Sequence, residues 1–186
     1  MKIISKIFFF FKKWIYYFFS NNKRITGKCI SYQPVVIRGK GKVVFGNLVS
    51  IGVINSPNYY SSYAYIEART ENSSITFGDN VNINNSFSVI SEIKIAINNN
   101  VLIGFNCTIT DSDFHNLNPD ARMETDPNPQ KVIIEENVFI GNNVTILKGV
   151  RIGRNSVVAA GAVLTKSFPD NVVIGGVPAK IIRHLD

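Results

Sequence analysis

Acid–base chemistry near neutral pH needs a group that can take and return a proton, and the chain offers two histidines, His115 and His184. His115 closes the run Asp111-Ser-Asp-Phe-His115 at the head of residues 114–130, a polar, Pro-containing insertion. An imidazole so placed can act as a general base. Asp113, with Asp111 as the lesser candidate, could orient that imidazole or contact an acceptor. Asp also makes turns by bonding nearby backbone, and both uses stay open here. An isolated loop histidine is ordinarily a surface residue, but the Asp-x-Asp-x-His setting favours catalysis. His184 reads as an exposed tail residue. Two histidines are too few for a three-histidine hydratase metal site. Cys29 and Cys107 stand far apart, without zinc or disulfide-scaffold spacing, and read as small buried hydrophobes suited to a reducing compartment.

A rigid body must position these residues, and a repeat supplies it. Ile134, Ile140, Ile146, Ile152, Val158 and Leu164 are six apart, and a smaller-residue column runs beside them through Val138, Val144, Val150, Ser156 and Ala162. Upstream, Phe77, Ile83 and Val89 keep the spacing, Ile97, Ile103 and Ile109 resume it after a slip, and Phe45 and Ile51 mark an earlier coil. Six residues make one flat side of a prism, a short strand plus a turn residue able to bend the chain. Three sides close a coil, and stacked coils bury continuous aliphatic columns that no single coil could bury alone. The expected fold is all-β, a parallel β-helix, with residues 114–130 protruding as a loop; the period alone leaves its handedness open. The expected division is a helix over 1–24, the β-helix over 25–177 and a tail over 178–186.

The net charge of +7 is unevenly placed: residues 1–66 hold ten Lys or Arg and no acid, whereas residues 67–186 hold ten basic and thirteen acidic residues. No nucleic-acid-binding motif accompanies the basic third, which argues against nucleic acid and for an anionic membrane surface. Residues 3–19 are rich in Phe, Tyr and Ile, but Lys12 and Lys13 interrupt the run short of the ~20 residues a spanning helix needs. On a helical wheel Lys2, Ser5, Lys6, Lys12, Lys13 and Ser20 form one stripe, with Phe9 and Tyr16 intruding and the other aromatics covering the rest. That pattern fits a helix lying on a membrane through residues 1–20, or one packing its broad apolar face on the body of its own oligomer.

Three segments carry a resemblance: Asp111 through His115, Ile140-Gly-Asn-Asn-Val-Thr-Ile-Leu-Lys-Gly-Val-Arg-Ile-Gly153, and Gly161-Ala-Val-Leu-Thr-Lys166 through Gly175-Gly-Val-Pro-Ala-Lys-Ile-Ile-Arg183. Over residues 70–184 the chain resembles the hexapeptide-repeat acyltransferases, in the branch of maltose, galactoside and nodulation-factor O-acetyltransferases. Phe139 stands where that branch usually has Trp, and the Asn-rich stretch before residue 70 diverges. The resemblance implies a left-handed β-helix, a homotrimer with sites between chains, and acetyl-CoA as donor with no metal.

It also implies roles for particular residues. His115 would be the catalytic base, with Asp113 beside it. Asn84 and Asp111 would hold the acceptor. Asn142 and Ala160 would line the pantetheine arm, and Thr165, Lys166, Lys180 and Arg183 would approach the nucleotide end. The reaction implied is O-acetylation of a sugar hydroxyl in the cytoplasm, and the aromatic, basic N-terminus points to an acceptor that is lipid-linked or handled at the inner face of the membrane, as in bacterial surface polysaccharide synthesis. N-acetylation of an amino sugar or sugar nucleotide is the alternative within the same chemistry. A non-catalytic β-helix scaffold is the alternative of another class, and it predicts neither acetyl-CoA binding nor any effect of losing His115.

Overall fold

The computed structural model describes residues 3–186, with side chains from residue 7 onward. Lys2 and the side chains of Ser5 and Lys6, part of the lysine stripe, lie outside the described residues. The repeat winds into a left-handed parallel β-helix of triangular section. Its first face stacks Ile25–Thr26, Lys42–Phe45, Ser74–Phe77, Lys94–Ile97, Val132–Ile134 and Arg151–Ile152. The second stacks Cys29–Ser31, Val49–Ile51, Asn82–Ile83, Leu102–Ile103, Phe139–Ile140, Val157–Val158 and Val172–Gly176. The third stacks Val35–Gly39, Ala64–Ala68, Ser88–Ser91, Thr108–Thr110, Thr145–Ile146 and Val163–Leu164.

Register follows the sequence columns: Ile83, Ile103, Ile140 and Val158 stand over one another on the second face, and Val89, Ile109, Ile146 and Leu164 on the third. Every member of both columns is buried. The two-residue slip before Ile97 is where the turn Glu92–Ile93 lengthens the corner between the third and first faces. The last strand, Ala179–His184, pairs antiparallel to Val172–Gly176 and so ends the parallel stack, placing most of residues 178–186 on the second face.

The corner between the first and second faces explains the abundance of asparagine. Asn80, Asn100, Asn137, Asn155 and Asn171 each adopt a positive φ of 57–59°, a conformation that asparagine tolerates better than branched residues. Their amides bond along the axis: Asn80 donates to Asn100 at 2.9 Å, Asn137 to Asn155 at 3.0 Å and Asn155 to Asn171 at 2.9 Å.

The helix Ile3–Phe18 lies against the first coils through Phe9, Lys12, Lys13 and Tyr16. Phe9, 4% exposed, packs on Tyr59 with ring centroids 4.4 Å apart, and Tyr16 packs on Tyr63 at 4.9 Å. Lys12 donates to the Tyr60 carbonyl at 2.7 Å, and Lys13 donates to that of Ser31. Those tyrosines come from the excursion 52–63, which the buried Asn85 anchors by accepting from Val53 N–H at 3.0 Å and donating to the carbonyls of Val53 and Pro57. Packing of the broad apolar face on the body, one of the two sequence readings, is reversed within this chain. Ile7, Phe8, Phe10, Phe11, Trp14, Ile15, Tyr17 and Phe18 point outward, each about half exposed or more. The cause is hydrogen bonding: the first coil and the excursion offer carbonyls that the ammonium groups fill. No described helix is long and apolar enough to cross a membrane.

Candidate active site

The loop leaves the third face after Thr108–Thr110 and rejoins the first at Val132–Ile134. Its neck is closed by the Gln130 N–H donating to the Asp111 carbonyl at 2.8 Å. Asp111 itself is fully buried, and its carboxylate accepts from Ser91 Oγ at 2.6 Å and from the N–H groups of Glu92, Ile93 and Lys94 at 2.7, 3.0 and 2.7 Å. The structure therefore corrects the expectation that Asp111 contacts the acceptor. Its oxygens are occupied in holding the turn of the preceding coil, and a side chain with no exposed surface reaches no ligand.

Beyond Asp111 the chain enters a charged knot. Lys148, from the turn after Thr145–Ile146, bridges Asp113 at 2.6 Å and Asp126 at 2.7 Å. Asp126, 6% exposed, also accepts from the N–H groups of Asp113 and Asn128, each at 2.9 Å. Burial pushes the Asp126 carboxyl up, but its bond to Lys148, the two N–H donors and the Lys148 charge outweigh this and hold it at about 2. Burial likewise opposes charge on Lys148, and its bonds to the two carboxylates more than offset it, raising the ammonium above its ordinary range. Ser112 Oγ donates to Glu92 at 2.7 Å and accepts from Phe114 N–H at 2.9 Å.

Phe114 follows with a φ of +61°, an uncommon conformation for an aromatic residue. Its ring lies under the Arg69 guanidinium at 4.3 Å. This turn throws His115 outward into solvent. His115 Nδ1 stands 2.9 Å from the carbonyl oxygen of Arg122. A carbonyl only accepts, so Nδ1 carries a proton, and in the neutral ring the lone pair is on Nε2. The expected orienter, Asp113, is instead committed to Lys148; the carbonyl of Arg122 holds the imidazole. That carbonyl is set by a single 3-10 turn, Pro119–Ala121, capped by Asn118. The Asn116 N–H donating to Glu124 O at 2.9 Å closes the hairpin around it.

The remaining candidates fall at different corners. Thr165 and Lys166 follow Val163–Leu164 at the corner that bears the loop, both exposed. Asn84, Asn142 and Ala160 lie at the corner between the second and third faces, after Asn82–Ile83, Phe139–Ile140 and Val157–Val158. They form part of one ladder there: Asn142 Oδ1 accepts from Phe105 N–H at 3.1 Å, and its carbonyl accepts from Gly161 N–H at 2.9 Å. Stacking is tight enough that a Cβ on Gly141 would sit 2.7 Å from the Ala160 nitrogen. Asn84, partly exposed, accepts from the Asn85 N–H at 2.7 Å. Lys180 and Arg183 are exposed on the closing strand. One chain thus brings His115, Asp113 and Lys166 to one corner, and Asn84, Asn142 and Ala160 to another, with the third face between. Cys107 is buried as expected, whereas Cys29 is partly exposed; burial pushes both thiols up.

Several known proteins resemble this chain. Residues 131–166 match the family described as hexapeptide repeat of succinyl-transferase. A galactoside O-acetyltransferase of Lactococcus lactis is 40% identical, the match covering 60% of this chain but only 54% of that one. A galactoside O-acetyltransferase of Escherichia coli is 31% identical, with 88% of this chain and 80% of that one covered. A hexapeptide-repeat-containing acetyltransferase of Vibrio cholerae, solved in complex with acetyl coenzyme A, is 37% identical, with a TM-score of 0.54 and 60% of this chain and 61% of that one covered.

Proposed function

Since the chain belongs to the hexapeptide-repeat acyltransferases, we propose that it transfers an acetyl group from acetyl-CoA to a sugar hydroxyl, with His115 as general base. One observation carries the reading: the Arg122 carbonyl fixes Nδ1–H of His115 and leaves Nε2 free at the surface. Nε2 takes the hydroxyl proton as the acceptor oxygen attacks the thioester carbonyl, forming the new C–O bond. The tetrahedral oxyanion collapses, the C–S bond breaks, and the imidazolium returns its proton to the departing thiolate. Acetylated sugar and free coenzyme A thiol are the products.

The site is shared between copies of the chain in a homotrimer. The split of Asn84, Asn142 and Ala160 from His115 across one face supports this, because a neighbouring copy can bring one chain's asparagine corner against the next chain's loop. Asn142 and Ala160 then line the pantetheine arm. Thr165, Lys166, Lys180 and Arg183, all exposed, offer cations and a hydroxyl to the coenzyme phosphates.

The acceptor is a bacterial surface polysaccharide or its lipid-linked precursor, handled at the inner face of the membrane. The outward aromatic face of the helix Ile3–Phe18, next to a segment with ten basic residues and no acid, supports a peripheral membrane contact. The test is release of coenzyme A thiol across neutral, acidic and amino sugars, nucleotide sugars and oligosaccharides, with wild type compared to His115→Ala. Acceptor-dependent release that drops about 10²-fold in the variant is expected for a lost general base. A variant as fast as wild type would remove His115 from the chemistry, and an amino-sugar acceptor would move the product to N-acetylation.

A further inference from the structure

The geometry points to Lys148 as a positioning residue that keeps the His115 imidazole against the Arg122 carbonyl, with hydrogen on Nδ1, by clamping both ends of the loop hairpin. Two separations in sequence make the clamp: Asp113 stands two residues before His115, and Asp126 four residues after Arg122, the residue whose carbonyl receives Nδ1–H. Lys148 Nζ reaches both carboxylates, at 2.6 and 2.7 Å, from a turn of the rigid helix body.

The clamp is built rather than incidental. Asp126 has a side chain 3% exposed and Lys148 one 20% exposed, so neither is a floppy surface charge. The Asp113 N–H donates to the same Asp126 oxygen that Lys148 holds, at 2.9 Å, so the two strands of the hairpin are tied to each other as well as to the body. Between these ties, the loop's internal bonds are short-range: Asn116 N–H to Glu124 O, Glu124 N–H to Ala121 O, Asn118 N–H to Asn116 Oδ1, the capped turn Pro119–Ala121, and His115 to Arg122 O. Leu117 and Met123 are 70% and 94% exposed, so little apolar packing steadies this part of the loop. Without the bridge, Ser112 and Thr125 on Glu92 still tie the neck to the body, but the one cation that joins Asp113 and Asp126 is gone, and the part of the hairpin beyond the neck is free to carry the Arg122 carbonyl away from the imidazole. An unrestrained imidazole samples both tautomers, and the one with hydrogen on Nε2 cannot accept the acceptor's proton at that outward nitrogen.

This rests on His115 being the base, but its readout does not need turnover. The chain has two histidines, so nitrogen-15 spectra of the imidazoles resolve His115 from His184 and report its tautomer directly. Removing Lys148 alone would strand a buried carboxylate, so the informative protein is Lys148→Met with Asp126→Asn. Asp113→Asn, which breaks one arm at a partly exposed residue, is the second variant. In wild type, His115 is expected with hydrogen on Nδ1. In the double variant it is expected as a mixture of tautomers, with kcat down by about tenfold or more and KM for acetyl-CoA unchanged, since misplacement acts on the transition state. Asp113→Asn is expected to lie between the two. A double variant or an Asp113→Asn protein with the wild-type tautomer and kcat overturns the clamp. A lost tautomer with unchanged turnover keeps the clamp and instead removes His115 as base.

Discussion

At the scale of single residues, three of the four aspartates around the histidine show how one residue type takes different jobs within one loop. Asp111 holds a turn, Asp113 holds a lysine, and Asp126 is buried under that same lysine. The sequence left turn-making and function open for the first two, and only long-range partners decide. Lys148 lies 35 residues from Asp113, and Ser91 lies 20 from Asp111, so no local pattern reports either contact. Arg122 contributes a backbone carbonyl and has no sequence signature at all. Asp126 also makes a pH prediction. Its folded value, about 2 against an ordinary 3.8, means its contribution is fully present above the ordinary value and is lost as pH falls toward the folded one. The shift corresponds to roughly 2 kcal/mol. Urea unfolding of wild type should therefore lose that much stability between pH 4 and pH 2, and Asp126→Asn should show a flatter slope over the same window. Equal slopes would mean that the carboxylate is not held by Lys148 in solution.

At the scale of elements, the strands were legible and the helix was half legible. Strand positions follow from the six-residue period because an interior column admits only aliphatic or small residues, as the buried run from Ile134 to Leu164 shows. The asparagine ladder was visible only as composition, since its bonds join residues 16–20 apart, or 18 in the case of Asn137 and Asn155. The helical wheel found two faces but not which one docks, because docking depended on carbonyls of Ser31 and Tyr60 that the wheel does not contain. Turned outward, Trp14 becomes a probe: it is the chain's one tryptophan and is 56% exposed. Its emission should shift to the blue on adding vesicles that contain anionic lipid and hardly move with zwitterionic ones, where charge adds nothing to burial. Phe10→Ser with Phe18→Ser should abolish the shift, while acetyl transfer to a soluble sugar stays as in wild type. Emission that is already blue without vesicles, and that reddens on dilution, would place a second copy on this face instead of lipid.

At the scale of the whole molecule, the separation of the two corners turns the proposed trimer into a quantitative expectation. His115 stands at the corner between the third and first faces, while Ala160 is exposed at the corner between the second and third. Two variants address them singly: His115→Ala removes the proposed base, and Ala160→Arg fills the proposed path of the pantetheine arm without touching the aliphatic columns. Each homotrimer should be inactive. If each site takes its loop from one chain and its asparagine corner from the next, mixing the two variants in equal amounts and allowing exchange restores sites in which both corners are wild type. In a closed ring with random placement this is about a quarter of all sites, so the mixture should recover about a quarter of wild-type thiol release. A site confined to one chain predicts no recovery at any ratio, because every chain then carries one lesion. Recovery that peaks at equal amounts and vanishes when exchange is blocked would tie the division of residues between two corners directly to the oligomer, since only a neighbouring copy can supply the half that each variant has lost.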